Sequence, residues 1–269
     1  MARRCIFCCG TPLTREHALP QWLNGLLGGA ALISWGNQTD PATRRRSPKG
    51  VDWVTRSVCR ECNNGWMSEL EGAAAPVLEP LILGDVTRLS PDEQALVAIW
   101  VWKTFLMVEL VQQVSPRVTR DEDYHWFFEQ REPAQSACCW MIGWQRSAGR
   151  DWFTRYWSNP SHRFTHPSQR TLPPKREMSG YRATVAIGRV AFQIVADRLP
   201  QEGFGFVNGG VQDGLIFNIW PGFVAPALPW PPLLFVDEWG LQRFHNRLIG
   251  REIVSPARVE PLALPPPTE

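Results

Sequence analysis

With 269 residues, 44% apolar and 20% charged, the chain has ample material for a core and lies outside the disordered range. Its longest apolar run, residues 95–102, stops at Lys103, so no membrane span is expected. Net charge is +2, unevenly spread: nine Lys/Arg against four Asp/Glu in 1–66, five against twelve in 67–135, nine against two in 136–189. Basic stretches around an acidic middle favour a polyanionic partner.

The N-terminus, Met1-Ala2-Arg3-Arg4-Cys5, has no apolar run behind its basic residues. A secretory leader is therefore not expected, and the protein is assigned to the cytoplasm. In that reducing compartment, closely spaced cysteines indicate metal or redox chemistry rather than disulfides. Cys5-Ile6-Phe7-Cys8 and Cys59-Arg60-Glu61-Cys62 are two C-x-x-C knuckles. Each turns two thiolates towards one point, and two such pairs complete a tetrahedral four-cysteine site for structural Zn2+. Cys9 is the alternative to Cys8, although the i, i+3 spacing favours Cys8. A redox role needs a thioredoxin-like βαβ setting, and the pattern contains none. Cys138-Cys139 is too cramped to grip a metal and reads as core.

Between the knuckles stands Leu13-Thr14-Arg15-Glu16-His17-Ala18-Leu19-Pro20, and directly after the second comes Asn63-Asn64-Gly65-Trp66. Over residues 3–72 the chain thereby resembles the HNH family of ββα-metal endonucleases, in particular a zinc-stapled subgroup with these four elements in this order. The resemblance implies His17 as general base, Glu16 as a ligand of the catalytic ion and Asn63 as the helix-borne ligand, with Asn64 the neighbouring alternative. Asn stands where many members carry His, which favours Mg2+ or Mn2+. The family's middle Asn has no counterpart in 54–58, and Asp52 is the candidate substitute for orienting the His17 loop. The physical logic stands beside the resemblance. An imidazole held in one tautomer can deprotonate water, and a hard cation on oxygen ligands can stabilise a leaving oxygen.

The 41 residues between His17 and Cys59 exceed a tight hairpin. Within them Arg44, Arg45, Arg46 and Lys49 read as an exposed basic loop suited to phosphates, or equally as a solvated tip. Beyond the second knuckle, Glu69 and Glu71 read as a solvated helix face, Glu69 also being a candidate to approach the ion. Trp22 and Trp66 should pack around the zinc.

Residues 76–135 should be helical. Ser90-Pro91-Asp92-Glu93 is a capping-box start for a central buried helix over 95–114, and Thr119-Arg120-Asp121-Glu122 repeats it for a shorter one. From Ser136 the pattern turns to strands at 140–144, 151–157, 181–185, 190–195 and 215–220, with a hairpin turn at Gly188-Arg189. Residues 158–179 read as an exposed loop, 237–249 as a last helix stopped by Gly250, and 265–267 as an extended tail. His125, His162, His166 and His245 read as surface or hydrogen-bonded residues.

The expected whole is α+β: a zinc-bound ββα-metal domain (1–75), a helical region (76–135) and a β-rich domain (136–269). The expected activity is divalent-ion-dependent hydrolysis of nucleic acid, DNA ahead of RNA, in a phage, mobile-element or defence setting. Two alternatives stand beside it: a catalytically silent nucleic-acid- or protein-binding module, and small-molecule chemistry on the same fold.

Overall fold

The computed structural model describes residues 3–27, 32–36, 43–46, 53–111, 117–133, 137–145, 153–161, 180–197, 204–208, 215–221, 227–246 and 249–253. Strand β1 (Leu13–His17) follows the first C-x-x-C turn and leads into the short helix α1 (Trp22–Leu26). β2 (Leu32–Gly36) and β3 (Thr43–Arg46) form an antiparallel pair, after which β4 (Val54–Cys59) returns antiparallel to β1. The arginine segment is therefore a strand over Thr43–Arg46, not the expected loop. Strand pairing satisfies backbone groups whatever the side chains are, so an arginine run can join a sheet. Lys49 and Asp52 lie outside the described residues.

Cys59 ends β4 and opens the helical turn α2 (Arg60–Cys62), which passes through a π-helical turn at Asn63–Met67 into α3 (Ser68–Leu83). Gly65, at φ −93° and ψ −118°, kinks the path between the knuckle and α3. β5 (Thr87–Leu89) precedes α4 (Pro91–Val111). The expected capping box forms at its start. Ser90 N–H donates to Glu93 Oε2 at 2.7 Å, and Glu93 N–H donates to Ser90 Oγ at 3.2 Å.

By length and composition α4 could cross a bilayer, but 72% of its apolar window is buried inside the protein, and it serves as the central core helix. In α5 (Asp121–Gln130) the box slips by one residue: Arg120 N–H donates to Asp123 Oδ2 at 2.7 Å. Thr119 is unavailable as the cap because its hydroxyl pairs with the buried Tyr124 hydroxyl at 3.0 Å.

The remaining elements are β6 (Cys138–Gly143), β7 (Phe153–Ser161), β8 (Gly180–Ile187), β9 (Val190–Asp197), β10 (Phe204–Asn208), β11 (Ile216–Trp220), β12 (Leu228–Trp230), α6 (Glu238–Asn246) and β13 (Ile249–Ile253). All five expected strand regions overlap strands. The last helix ends earlier than expected, and Gly250 pairs with Val207 in the β10–β13 ladder instead of capping it. Residues 158–161 belong to β7, whereas 162–179 and 265–267 lie outside the described residues.

A seven-stranded sheet in the order β11-β6-β9-β8-β7-β2-β3 organises the molecule. Only β2–β7 is parallel among its pairs, and with the helices this gives the α+β class. Alternation along β6 separates its two faces. Cys139 and Met141 join the main core with Trp100 and Phe105 of α4, while Cys138, Trp140 and Ile142 join Leu241 and Phe244 of α6. The β8–β9 turn forms where expected and presses on the end of α3. Gly188 takes a left-handed φ of 58°, Arg189 N–H donates to Ile82 O at 2.8 Å, and a Cβ on Gly188 would lie 2.4 Å from that oxygen.

His245 ties α6 to the sheet. Its Nδ1 lies 2.8 Å from Thr184 Oγ1, and its carbonyl accepts from Arg182 and Gln193, both at 3.0 Å. Burial, reinforced by the Arg182 charge, pushes the imidazole down to about 3. A histidine held neutral in the fold contributes stability that is present above its unfolded value of about 6.5 and is lost as pH falls towards 3. Urea unfolding of His245→Gln should accordingly show less loss of stability between pH 6.5 and 4 than wild type. Identical acid limbs would remove His245 as the cause.

Candidate metal centre

Backbone hydrogen bonds shape both knuckles before any metal is considered. In the first, Cys9 N–H donates to Cys5 O at 2.9 Å, Cys5 N–H to Gly10 O at 3.0 Å, and Gly10 N–H to Cys8 Sγ at 3.3 Å. Cys9 closes this turn with a left-handed φ of 60°. In the second, the extended Cys59 is followed by a helical turn, and Cys62 N–H donates to Cys59 Sγ at 3.4 Å. Two links align the knuckles: Ile6 N–H to Ser57 O at 2.9 Å, and Arg60 N–H to Pro12 O at 3.1 Å.

The four sulfurs of Cys5, Cys8, Cys59 and Cys62 all lie within 4.8 Å of one another, with Cys5–Cys62 at 3.9 Å and Cys8–Cys59 at 3.4 Å. A tetrahedron with metal–sulfur bonds of about 2.3 Å has edges of about 3.8 Å. The four cysteines can therefore hold a metal ion such as zinc. Cys9 is exposed and its Sγ turns to His125 Nε2 at 3.9 Å, which settles the choice between Cys8 and Cys9.

Without a cation the thiols compete for protons. The hydrogen bond between Cys5 and Cys62 holds Cys5 down, to about 4, and the same bond together with burial pushes Cys62 up. Burial pushes Cys59 up to about 11. Crowded, buried thiols of this kind need a cation to become thiolates together.

α5 closes over the knuckles through aromatic edges. Phe7 meets Trp66 and Tyr124 at centroid distances of 5.5 and 5.4 Å, and Trp66 meets Phe127 at 5.7 Å. The Arg131 guanidinium lies 4.4 Å from the Trp66 ring centroid. Burial lowers its pKa while Cys62, Glu69 and Cys8 oppose that shift, so the guanidinium stands near two of the four cysteines. Trp66 thus packs at the metal centre as expected, whereas Trp22 packs on Trp100 of α4 at 6.3 Å.

Of the sequence-identified site residues, Glu16 and His17 end β1, and Asn63 directly follows the second knuckle. Asn63 Nδ2 donates to Thr14 Oγ1 at 3.0 Å and to Arg15 O at 3.3 Å, tying the helical segment to β1. Asn64 is exposed. Half-buried His17 pairs in register with Val54, and Gln21 Nε2 lies 3.3 Å from its Nε2. Sequence reasoning missed Gln21, although its position four residues after His17 was the available signal.

Glu16 is only 7% exposed. Burial pushes its carboxyl up to about 7, with Lys103 opposing and Glu71 adding to the shift. Lys103, at 0% exposure, donates to Glu71 Oε1 at 2.5 Å. Glu71 is therefore an ion-pair partner of the core helix, not the solvated residue expected; Glu69 is exposed. Among the described residues, Cys5, Cys8, Cys59 and Cys62 form the one group of three or more His, Cys, Asp or Glu positioned for a metal ion.

Comparison with known protein families, curated proteins and solved structures returns no match.

Protein purified under reducing conditions without chelator should carry one metal ion per chain by plasma mass spectrometry. Serine at Cys5, Cys8, Cys59 or Cys62 should abolish it and weaken the near-ultraviolet dichroism of the Phe7–Trp66 cluster, whereas Cys9→Ser should retain both. Uptake must displace thiol protons, so affinity should rise with pH; a pH-independent affinity would contradict a thiolate site.

Proposed function

We propose that this protein is a zinc-stapled, metal-dependent endonuclease of HNH type that hydrolyses nucleic-acid phosphodiesters, DNA ahead of RNA. The observation that carries the reading is the Asn63 link to β1. It joins the first residue after the second knuckle to Thr14 and Arg15, directly before Glu16 and His17. Because the amide nitrogen is committed to β1, the amide oxygen is the end available to a cation. Asn63 and Glu16 thus offer two hard oxygen donors, a donor set suited to Mg2+ or Mn2+, which bind through one or two protein oxygens plus water and phosphate.

His17 accepts the proton of the attacking water, and the Gln21 carboxamide beside its ring fixes the imidazole's orientation. The phosphorus–oxygen bond to the 3′ oxygen breaks and that oxygen takes a proton from solvent, leaving a 5′-phosphate and a 3′-hydroxyl. When bound, the divalent ion supplies charge stabilisation to the leaving oxygen. The four-cysteine site takes no part in this chemistry and holds β1, β4 and the helical segment together.

A second reading, a binding module without hydrolysis, is favoured by the burial of Glu16 near the Lys103–Glu71 pair. The ammonium of Lys103 offers Glu16 a resident cation in competition with a divalent one.

His17→Ala should lower plasmid cleavage by roughly 10²–10⁴ while leaving DNA binding and Mn2+ affinity in place. Glu16→Ala and Asn63→Ala should be partly restored by excess Mn2+, and neither should change zinc content. As protons compete for Glu16, divalent affinity should rise with pH through about 7. Wild-type protein that binds DNA but cleaves neither duplex nor single strands with Mg2+ or Mn2+ would hand the case to the binding module.

A further inference from the structure

We propose that Arg131 and Trp66 form a charge-balancing cover on the four-cysteine centre, Arg131 as its counter-ion and Trp66 as a donor to one of its sulfurs. The inference rests on the four cysteines holding a metal ion and is independent of any nuclease activity. A divalent ion on four thiolates keeps a net charge of about −2. Burying that excess is costly unless nearby dipoles or cations offset it. Backbone amides supply part of the offset: Gly10 N–H donates to Cys8 Sγ at 3.3 Å, and Cys62 N–H to Cys59 Sγ at 3.4 Å.

Arg131 supplies the opposite charge. α5 ends on this residue, which takes a left-handed φ of 57° and donates its N–H to Phe127 O at 2.9 Å. Its guanidinium lies 4.4 Å from the ring centroids of both Trp66 and Phe128, and it donates to Phe128 O. The side chain is half-buried, yet it forms no ion pair with a carboxylate among the described residues. The negative groups acting on it are Cys62 foremost, then Glu69 and Cys8. Glu69 is exposed, so solvent screens its pull, and the two sulfurs remain as the main counter-charge. Cys8 is the one of the four cysteines that is not fully buried, so the cation acts on the most accessible sulfur.

Trp66 carries Arg131 on its face and turns its own dipole inward. Phe7 and Phe127 hold its ring at 5.5 and 5.7 Å. Its Nε1 is buried with no oxygen or nitrogen acceptor in range, and the Cys62 sulfur is the group it donates toward. An arginine at a helix C-terminus also complements the last carbonyls and the helix dipole, which accounts for the Phe128 contact. That role does not account for a half-buried guanidinium fixed between two rings without a carboxylate. Facing Cys62 and Cys8 does.

The test uses full-length protein purified under reducing conditions and loaded with Zn2+ or Co2+. Arg131→Gln should raise the Zn2+ dissociation constant, read by competition with a chromogenic chelator, by about 10–100-fold. It should also move the sulfur-to-cobalt charge-transfer absorption to lower energy, because a nearby cation stabilises the sulfur electrons. Arg131→Lys should restore most of both readouts. Trp66→Phe, which keeps a ring but loses the N–H, should move the absorption in the same direction as Arg131→Gln. Glu69→Gln should move both readouts the opposite way, and it keeps the idea testable if Arg131→Gln does not fold. Unchanged affinity and absorption in Arg131→Gln, or equal losses in Arg131→Gln and Arg131→Lys, overturns the proposal. So does an unmoved Glu69→Gln where Arg131→Gln does not fold. Wild-type protein that takes up neither ion overturns the metal centre and this cover together, whereas tight binding indifferent to Arg131 overturns the cover alone.

Discussion

Convergence of four thiols on one point is the constraint from which the candidate site follows. Cys8 and Cys59 are 51 residues apart in sequence and Cys5 and Cys62 are 57 apart. Closing loops of that length costs entropy that β1, α1 and β4 offset poorly alone. A metal ion held by the four cysteines would supply the missing free energy, because such binding is coupled to folding. Once Cys59 is fixed beside Leu13, the β1–β4 register runs to His17 opposite Val54, through one irregularity between Thr14 and Glu16. The same anchor sets where the helical segment begins, and so brings Asn63 against β1.

The rest of the chain does not stand apart from this module. Between β1 and β4 the chain leaves to add β2 and β3 to the sheet built from the C-terminal half. α4 runs beneath both, with its residues in one cluster with Cys5, Cys59 and Ile187. Lys103 makes that contact electrostatic as well as apolar. An unpaired buried ammonium would be costly, and Glu71 from α3 supplies the counter-charge. Glu16 therefore sits where the core helix, α3 and the end of β1 meet, under the influence of both Lys103 and Glu71.

What could be read from the sequence was local. The C-x-x-C spacing encodes its own turn, so all four thiolate positions were legible. The Ser90–Glu93 box needs only four consecutive residues, and it forms. The box at 119–122 failed by one residue because a partner outside its pattern, the Tyr124 hydroxyl, took the Thr119 side chain. Longer-range features were hidden for a related reason. Lys103 and Glu71 pair across 32 residues, and each looks ordinary within its own helix. β2 finds β7 more than a hundred residues downstream, with Ser34 in register with Arg155, and an arginine run carries no alternation that announces a strand. The helix expected to stop at Gly250 ends at Asn246 because that glycine is engaged in a ladder with β10.

The central claim is that a single metal ion on four thiolates organises the N-terminal module. X-ray absorption at the zinc edge of the purified full-length protein tests it most directly. The account predicts four sulfur neighbours at about 2.3 Å, with no nitrogen or oxygen contribution. A mixed set of neighbours, or zinc bound only loosely and lost on dialysis without loss of fold, would contradict it.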